Sequence, residues 1–321
     1  MAVSGSFNFT QNRDNLIKDA FVEAGILRPD ETPDYEENSY AANTLNRMLK
    51  SWFQFGLHLF ATRDATLFLE TDKIQYSLGP TGDHCTESFT ETAIKVAAST
   101  SATSIDVDST TGMSASDYIG IELDSGAVHW TTISSVTDSD TVVIASGLAS
   151  AAAVDNVVYF YTNKIQRPLR INHAYYRDHT TAEVKTDTRM YEISRDEYLS
   201  LSAKNTESRP TEYYFDPQLT NCVLNIYGEP TDVKDTIVLA MQFPFDDMDA
   251  AANDFSFPVE WLDAIHLNLA ARLASAYRQG GDAKTMELTS RAVRALEQAK
   301  GFDEERSDLQ IVPDPRWIGD N

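Results

Sequence analysis

The stretches LIKDAFVEAGILRP (residues 16–29) and LNRMLKSWFQFGL (residues 45–57) decide the fold class of this chain. In the first, Leu16, Ile17, Ala20, Phe21 and Ala24 recur at helical spacing, which predicts a helix over Asn15–Gly25. Ala41, Leu45, Met48, Leu49 and Trp52 repeat that spacing up to a stopping Gly56. The same periodicity returns at the other end of the chain. Pro258 sits where a helix would begin, and Trp261, Leu262, Ile265, Leu269 and Leu273 form an apolar face that ends near Gly280 and Gly281. A last helix over about Ala283 to Lys300 carries Met286, Val293 and Leu296.

Between the two helical blocks the sequence is of β type. Residues 65–78 alternate loosely and end in the turn GPTG (79–82), which reads as a strand or hairpin leaving the helices. From Asp83 to Thr162 the composition shifts to Ser, Thr, Ala, Val and Asp, with eleven acids and a single base, Lys95, which marks a separate unit. Ile105 and Val107 alternate with aspartates, and Ile119, Ile121 and Leu123 alternate with Gly120 and Glu122. Val142 to Ile144 and Val157 to Tyr161 read as further strands. Asp124-Ser125-Gly126 and Thr137-Asp138-Ser139-Asp140 are the turns between them, and short strands at such spacing predict a small β-barrel or β-sandwich. Beyond it, Ser194 and Glu197 form a capping-box pattern for a short helix over Arg195–Ser202. Strands are predicted at Tyr213–Phe215, Val223–Tyr227 and Ile237–Phe243.

The expected architecture is therefore α+β: a discontinuous helical bundle from the two chain ends, a β-rich middle region, and an inserted small β-barrel or β-sandwich. Its divisions are 1–82 with 163–302 for the main domain, 83–162 for the insert, and 303–321 for a C-terminal arm.

The chain has 321 residues, and its net charge of −23 comes from 49 acids against 26 bases. Gripping nucleic acid through its phosphates needs clustered Lys and Arg, so any contact with DNA should be loose. An acidic wall around a DNA path would repel phosphates, although an acidic surface is also an ordinary route to solubility. No run approaches the roughly 18 apolar residues of a membrane span, and MAVSGS at the start lacks a signal-peptide pattern, so a soluble, unexported protein is expected. Cys85 and Cys222 are too few and too far apart for a disulfide framework or a zinc site.

The two stretches quoted first resemble the opening of the head-to-tail adaptor proteins of short-tailed bacteriophages, a family also called tail tubular protein A, packaged-DNA stabilisation protein or head-completion protein. LDAIHLNLAARLA (262–274) is similar to that family's penultimate helix, and RPLRI (167–171), ISRDEY (193–198) and EYYFDP (212–217) resemble its longer members. TTGM (110–113) and IGIELDSGAVHWTTI (119–133) resemble β inserts of phage virion proteins. The resemblance implies a structural part of the virion at the head–tail junction, made in the host cytoplasm. Its copies would form a ring, twelve-fold by family resemblance, bound beneath the portal protein. That ring would extend the DNA channel used in packaging and ejection and present a platform to the next tail protein, a nozzle or tail tube. Double-stranded DNA would only pass through.

Residues that could carry chemistry have plainer readings. The histidines, His58, His84, His129, His173, His179 and His266, show no zinc spacing, and no nucleophile elbow, phosphate-binding glycine loop or dinucleotide fingerprint is present. Asp246, Asp247 and Asp249 form the densest acidic cluster. They read as solvated loop charges because the glycine and glutamate of a calcium-binding loop are missing. Trp52, Phe53 and Phe55 could form a stacking platform for bases, but Trp52 shares the apolar face of Leu45, Met48 and Leu49, which favours core packing. Catalytic, cofactor-binding and metal-binding residues are all expected to be none. In the arm, Ile311, Val312, Pro313, Trp317 and Ile318 follow a charged run as a short apolar motif that prolines keep extended. The family resemblance makes this the candidate portal-docking segment. Two other readings remain open: a different phage tail or decoration protein with a β-rich interaction module, and a carbohydrate-active enzyme using acids such as Asp246 and Asp247.

Overall fold

The computed structural model describes residues 9, 11–52, 59–181, 184–230, 234–251, 257–278 and 282–303. The described residues hold five α-helices, α1 (Arg13–Glu23), α2 (Tyr35–Trp52), α3 (Arg195–Ser200), α4 (Leu262–Tyr277) and α5 (Ala283–Phe302). The strands are β1 (Thr62–Phe68), β2 (Gln75–Leu78), β3 (Cys85–Thr86), β4 (Thr90–Ala93), β5 (Ser104–Asp106), β6 (Tyr118–Glu122) and β7 (Val128–Val136). They continue with β8 (Thr141–Ile144), β9 (Val157–Tyr161), β10 (Arg170–Thr181), β11 (Val184–Glu192), β12 (Glu212–Asp216), β13 (Cys222–Tyr227) and β14 (Thr236–Gln242). The protein is α+β, and its contacts divide it into two compact units. One comprises Met1–Ala61 with Phe245–Asn321, the other Thr62–Pro244.

In the helical unit α1 starts where the Asn12 side chain accepts the amide of Asn15, and it ends at Gly25, whose φ of +69° reverses the chain. There the Ile26 amide donates back to Phe21 O at 3.0 Å, a helix stop that a side-chain-bearing residue would strain. α2 begins six positions before Ala41, the first residue of the expected apolar face, because Asp34 and Glu37 form a reciprocal capping box. α4 packs against α1, α2 and α5, and is buried nearly all round through Ile265, Leu267, Leu269, Ala270 and Leu273. All four helices share one core. On α5 the buried face is Thr285, Leu288, Ala292, Ala295 and Ala299, whereas Met286 and Val293, read from sequence as part of its apolar pattern, point outward. The expected stops at Gly56, Gly280 and Gly281 lie outside the described residues.

The second unit contains an eight-stranded sheet in the order β2-β13-β12-β11-β10-β14-β1-β3, antiparallel except for β11 with β12. β1 and β2 do not form the hairpin that the alternation of residues 65–78 allows: β1 pairs with β14 and β3, while β2 pairs with β13. The long hairpin β10–β11 carries no clean alternation in its sequence, and its polar residues hid it from a periodicity reading.

The other sheet has the order β4-β9-β6-β7-β8-β5. Its two edge strands meet. Ile94 bridges Val107, the Lys95 amide donates to Asp106 O and the Asp108 amide to Ala93 O, both at 2.9 Å. The sheet therefore closes into a six-stranded barrel with no free edge, and Ile105, Ile119, Ile121, Val142, Val158 and Phe160 fill it. The turns at Asp124–Gly126 and Thr137–Asp140 lie where the sequence placed them.

The expected insert boundary at Asp83 falls within the other sheet, because Cys85 and Thr86 form β3 and Cys85 sits in that sheet's core. The expected divisions at 82/83 and 162/163 both lie inside the second compact unit. The single Thr86 hydroxyl proton lies between Ser88 O, 3.0 Å from Oγ1, and Asn163 O, 2.8 Å from it, which holds the incoming and outgoing segments of the barrel side by side. Replacing residues 88–162 by a short Gly-Ser linker should therefore leave a folded chain, provided Phe68, which the barrel aromatics cover, is changed to Thr. Hydrogen exchange on the shortened chain checks this. Loss of protection in β10, β13 and β14 would mean that the barrel is needed for the sheet to fold.

Candidate functional site

The candidate docking residues Ile311, Val312, Pro313, Trp317 and Ile318 lie outside the described residues, as do Phe53, Phe55 and His58. Trp52 is buried in the helical core, with its ring centroid 5.7 Å from that of Trp261. Cys85 and Cys222 are both free thiols and buried, and burial pushes the Cys85 thiol well above its ordinary range. Among the described residues no three His, Cys, Asp or Glu side chains gather as a metal cage. No described helix is long and apolar enough to cross a membrane.

The acidic segment 246–249 is fastened along α2. Asn46 accepts the Met248 amide at 3.0 Å and donates to its carbonyl at 3.3 Å, while Lys50, one turn on, donates to Phe245 O at 2.8 Å and pairs with Asp247 at 2.9 Å. Arg13 reaches Met248 O from α1. Beside this strap lies a cleft of about 610 Å³ with Asn38, Asn43 and Asp249 in its wall. The backbone bonds carry most of the fastening, since Asp247 is largely exposed and an exposed ion pair is worth only about 0–1 kcal/mol.

An aromatic cluster in the second unit joins the barrel to the eight-stranded sheet. Along β6 and β9 one face looks into the barrel, through Ile119, Ile121, Val158 and Phe160. The opposite face carries Tyr118, Gly120, Tyr159 and Tyr161, with Trp130 beside Gly120 on β7. Phe68 of β1 packs into this outer face, 4.9 Å from Trp130 and 5.0 Å from Tyr159 between ring centroids. A Cβ at Gly120 would stand 2.6 Å from the Trp130 ring, so glycine there lets the indole lie flat across β6.

His84 closes the cluster. Its imidazole stacks on Trp130 at 3.9 Å with the rings 10° from parallel, and Nδ1 shares a 2.6 Å hydrogen bond with the Tyr161 hydroxyl. Burial, helped by the Lys164 and Lys73 ammonium groups against the opposing pull of Asp83, lowers the His84 pKa to about 3, so the ring is neutral at pH 7. Burial likewise holds the Tyr161 phenol well above its usual range. Lys164 lies over the Tyr118 ring at 5.0 Å and donates to Gly82 O. Lys234 adds an ion pair to Glu122 on β6 at 2.8 Å. A neutral imidazole stacked on an indole and bonded to an un-ionised phenol suits a rigid clasp better than proton transfer.

A second network, at the far end of β10, is also structural in form. Tyr176 donates to Asp235 Oδ2 at 2.5 Å, and the backbone amide of His179 donates to Asp235 Oδ1 at 2.7 Å. Both carboxylate oxygens of this buried aspartate are thus occupied.

In the sequence His84 stands out only as one of six histidines without zinc spacing, and the clasp is not expected there. A signal was available: in VVYFY (157–161) both faces of one strand are apolar, which marks a strand covered on both sides.

No family model matches the chain, and no curated protein matches it.

Proposed function

We propose that this chain is a virion structural protein, the head-to-tail adaptor of a short-tailed bacteriophage. Its copies form a ring beneath the portal, extend the DNA channel and offer a platform to the next tail component. What supports the reading most is that the two chain ends, separated in sequence by residues 62–244, fold into one helical core, α1 and α2 with α4 and α5. Three of the stretches that resemble the family contribute to that core, 16–29 and 262–274 and, of 45–57, the residues Leu45, Met48, Leu49 and Trp52. A bundle of this kind can hold neighbouring copies through its outer faces while the barrel is presented to another virion component. The charge of −23 agrees with a channel that DNA passes through without being gripped. In this reading no bond is made or broken, and the arm 303–321 docks on the portal through Ile311, Val312, Pro313, Trp317 and Ile318.

Mixing the purified chain with its cognate portal and imaging the product tests the proposal. A closed ring of copies matching the portal symmetry is the expected result. One or two copies per portal, or three-fold symmetry, would count against it and favour a fibre or decoration module.

A further inference from the structure

The helical unit leaves two outward surfaces with apolar centres. On α5, Met286 and Val293 stand one above the other at i and i+7, 63% and 49% exposed, and with Thr289, Ser290 and Arg294 they line a groove of about 470 Å³. On α2 and α4, Tyr40 and Tyr277 meet edge to face at 5.9 Å and are 42% and 43% exposed. The two surfaces share no residue.

Their charges match. Among the described residues, Arg294 and Glu297 beside the groove have no ion-pair partner within the chain, and neither do Glu36 and Arg47, which flank Tyr40 on α2 at i−4 and i+7. Each surface thus offers spare charges of both signs around an apolar centre, and on the tyrosine side Glu37 and Asp34 add acid beside Tyr277. In a chain of net charge −23, α5 stands out, with four bases (Lys284, Arg291, Arg294, Lys300) against two acids (Glu287, Glu297). An element of that sign is suited to the acidic first turn of α2, where Glu36 and Glu37 lie.

We propose that the α5 groove receives the Tyr40–Tyr277 pair of a second copy of this chain. The contact is head to tail, because the two sides are different surfaces, and such contacts generate rings when the rotation closes. The groove takes the aromatic pair, Arg294 faces Glu36, and Glu297 faces Arg47. This deepens the ring reading and rests on it for closure.

The test uses the full chain with single cysteines at exposed positions, the native Cys85 and Cys222 being fully buried. Under mild oxidation, M286C mixed with Y40C should give a mixed disulfide dimer, neither variant should link to itself, and the double variant should give a ladder of oligomers. As a second measurement, Val293→Asp should weaken self-association in sedimentation by about tenfold or more without changing the melting temperature. Absence of the mixed disulfide, or equal self-linking of each single variant, overturns the contact. A mixed disulfide in a chain that forms no ring on portal would keep the contact and sink the adaptor reading. A ring on portal without the disulfide would do the reverse.

Discussion

Trp261→Ala should unfold the helical unit at temperatures where the wild type is fully folded. Trp261 closes the single turn of 3-10 helix before α4, is almost completely buried, and lies against aromatic residues that include Trp52, Phe60 and Phe257. The ring centroids of Trp52, Phe60 and Phe257 lie 5.7, 5.6 and 6.3 Å from its own. Phe60 in turn stacks on Phe245 at 5.3 Å, so the indole is the centre of an aromatic layer contributed by both chain ends. Removing a buried Trp costs about 3–5 kcal/mol, a large part of the roughly 5–15 kcal/mol by which a domain is stable. Far-UV circular dichroism should show the helical signal melting well below its wild-type temperature. Val259→Ala, two residues earlier and half exposed, should change it little. A Trp261→Ala protein that melts with wild type would show that the two chain ends do not depend on this layer.

Much of the fold was legible in the sequence, and the parts that were not have physical reasons. The helices at both ends were readable because apolar residues recur every three or four positions, and the barrel turns because Asp124–Gly126 and Thr137–Asp140 have the chemistry that turns need. The start of α2 was missed because Asp34 and Glu37 cap a first turn, YEEN, that is polar apart from an exposed tyrosine. Periodicity cannot see such a turn. β10 and β11 were missed because much of this hairpin is polar and partly exposed, so burial imposes little alternation on it. The outward surface of α5 was misread for the opposite reason. Met286 and Val293 are apolar but lie off the Thr285–Leu288–Ala292–Ala295–Ala299 face, where small residues allow close approach to the core. Among candidate site residues, the acids at 246–249 could be seen in sequence, but their fastening by Asn46 and Lys50 could not, because those partners lie some two hundred positions away. The clasp needed knowledge of which strand faces were covered, and that depends on pairing.

Acidification should loosen the barrel from the eight-stranded sheet through His84. Its pKa is lowered from 6.5 to about 3 in the folded protein, so the folded state holds it neutral, whereas the unfolded chain takes up a proton as the pH falls below 6.5. The stability due to the neutral imidazole is therefore fully present above pH 6.5 and is lost as the pH drops from 6.5 towards 3. The slope is about 1.4 kcal/mol for each pH unit in that window. Protonation would set a cation against the Lys164 and Lys73 ammonium groups and bury it among the Trp130, Tyr161 and Tyr118 rings. His84→Phe keeps an aromatic ring for Trp130 to stack on but cannot take a proton. Urea unfolding between pH 7 and pH 4 should show the wild type losing stability faster than His84→Phe, by about one proton's worth of slope. The variant should be the less stable at pH 7, where it lacks the hydrogen bond to Tyr161, and the gap should close or reverse in acid. Equal slopes for the two proteins would mean that His84 is free to titrate in the folded state. The neutral clasp would then have to be given up, because its geometry requires an imidazole that stays uncharged while the barrel is docked.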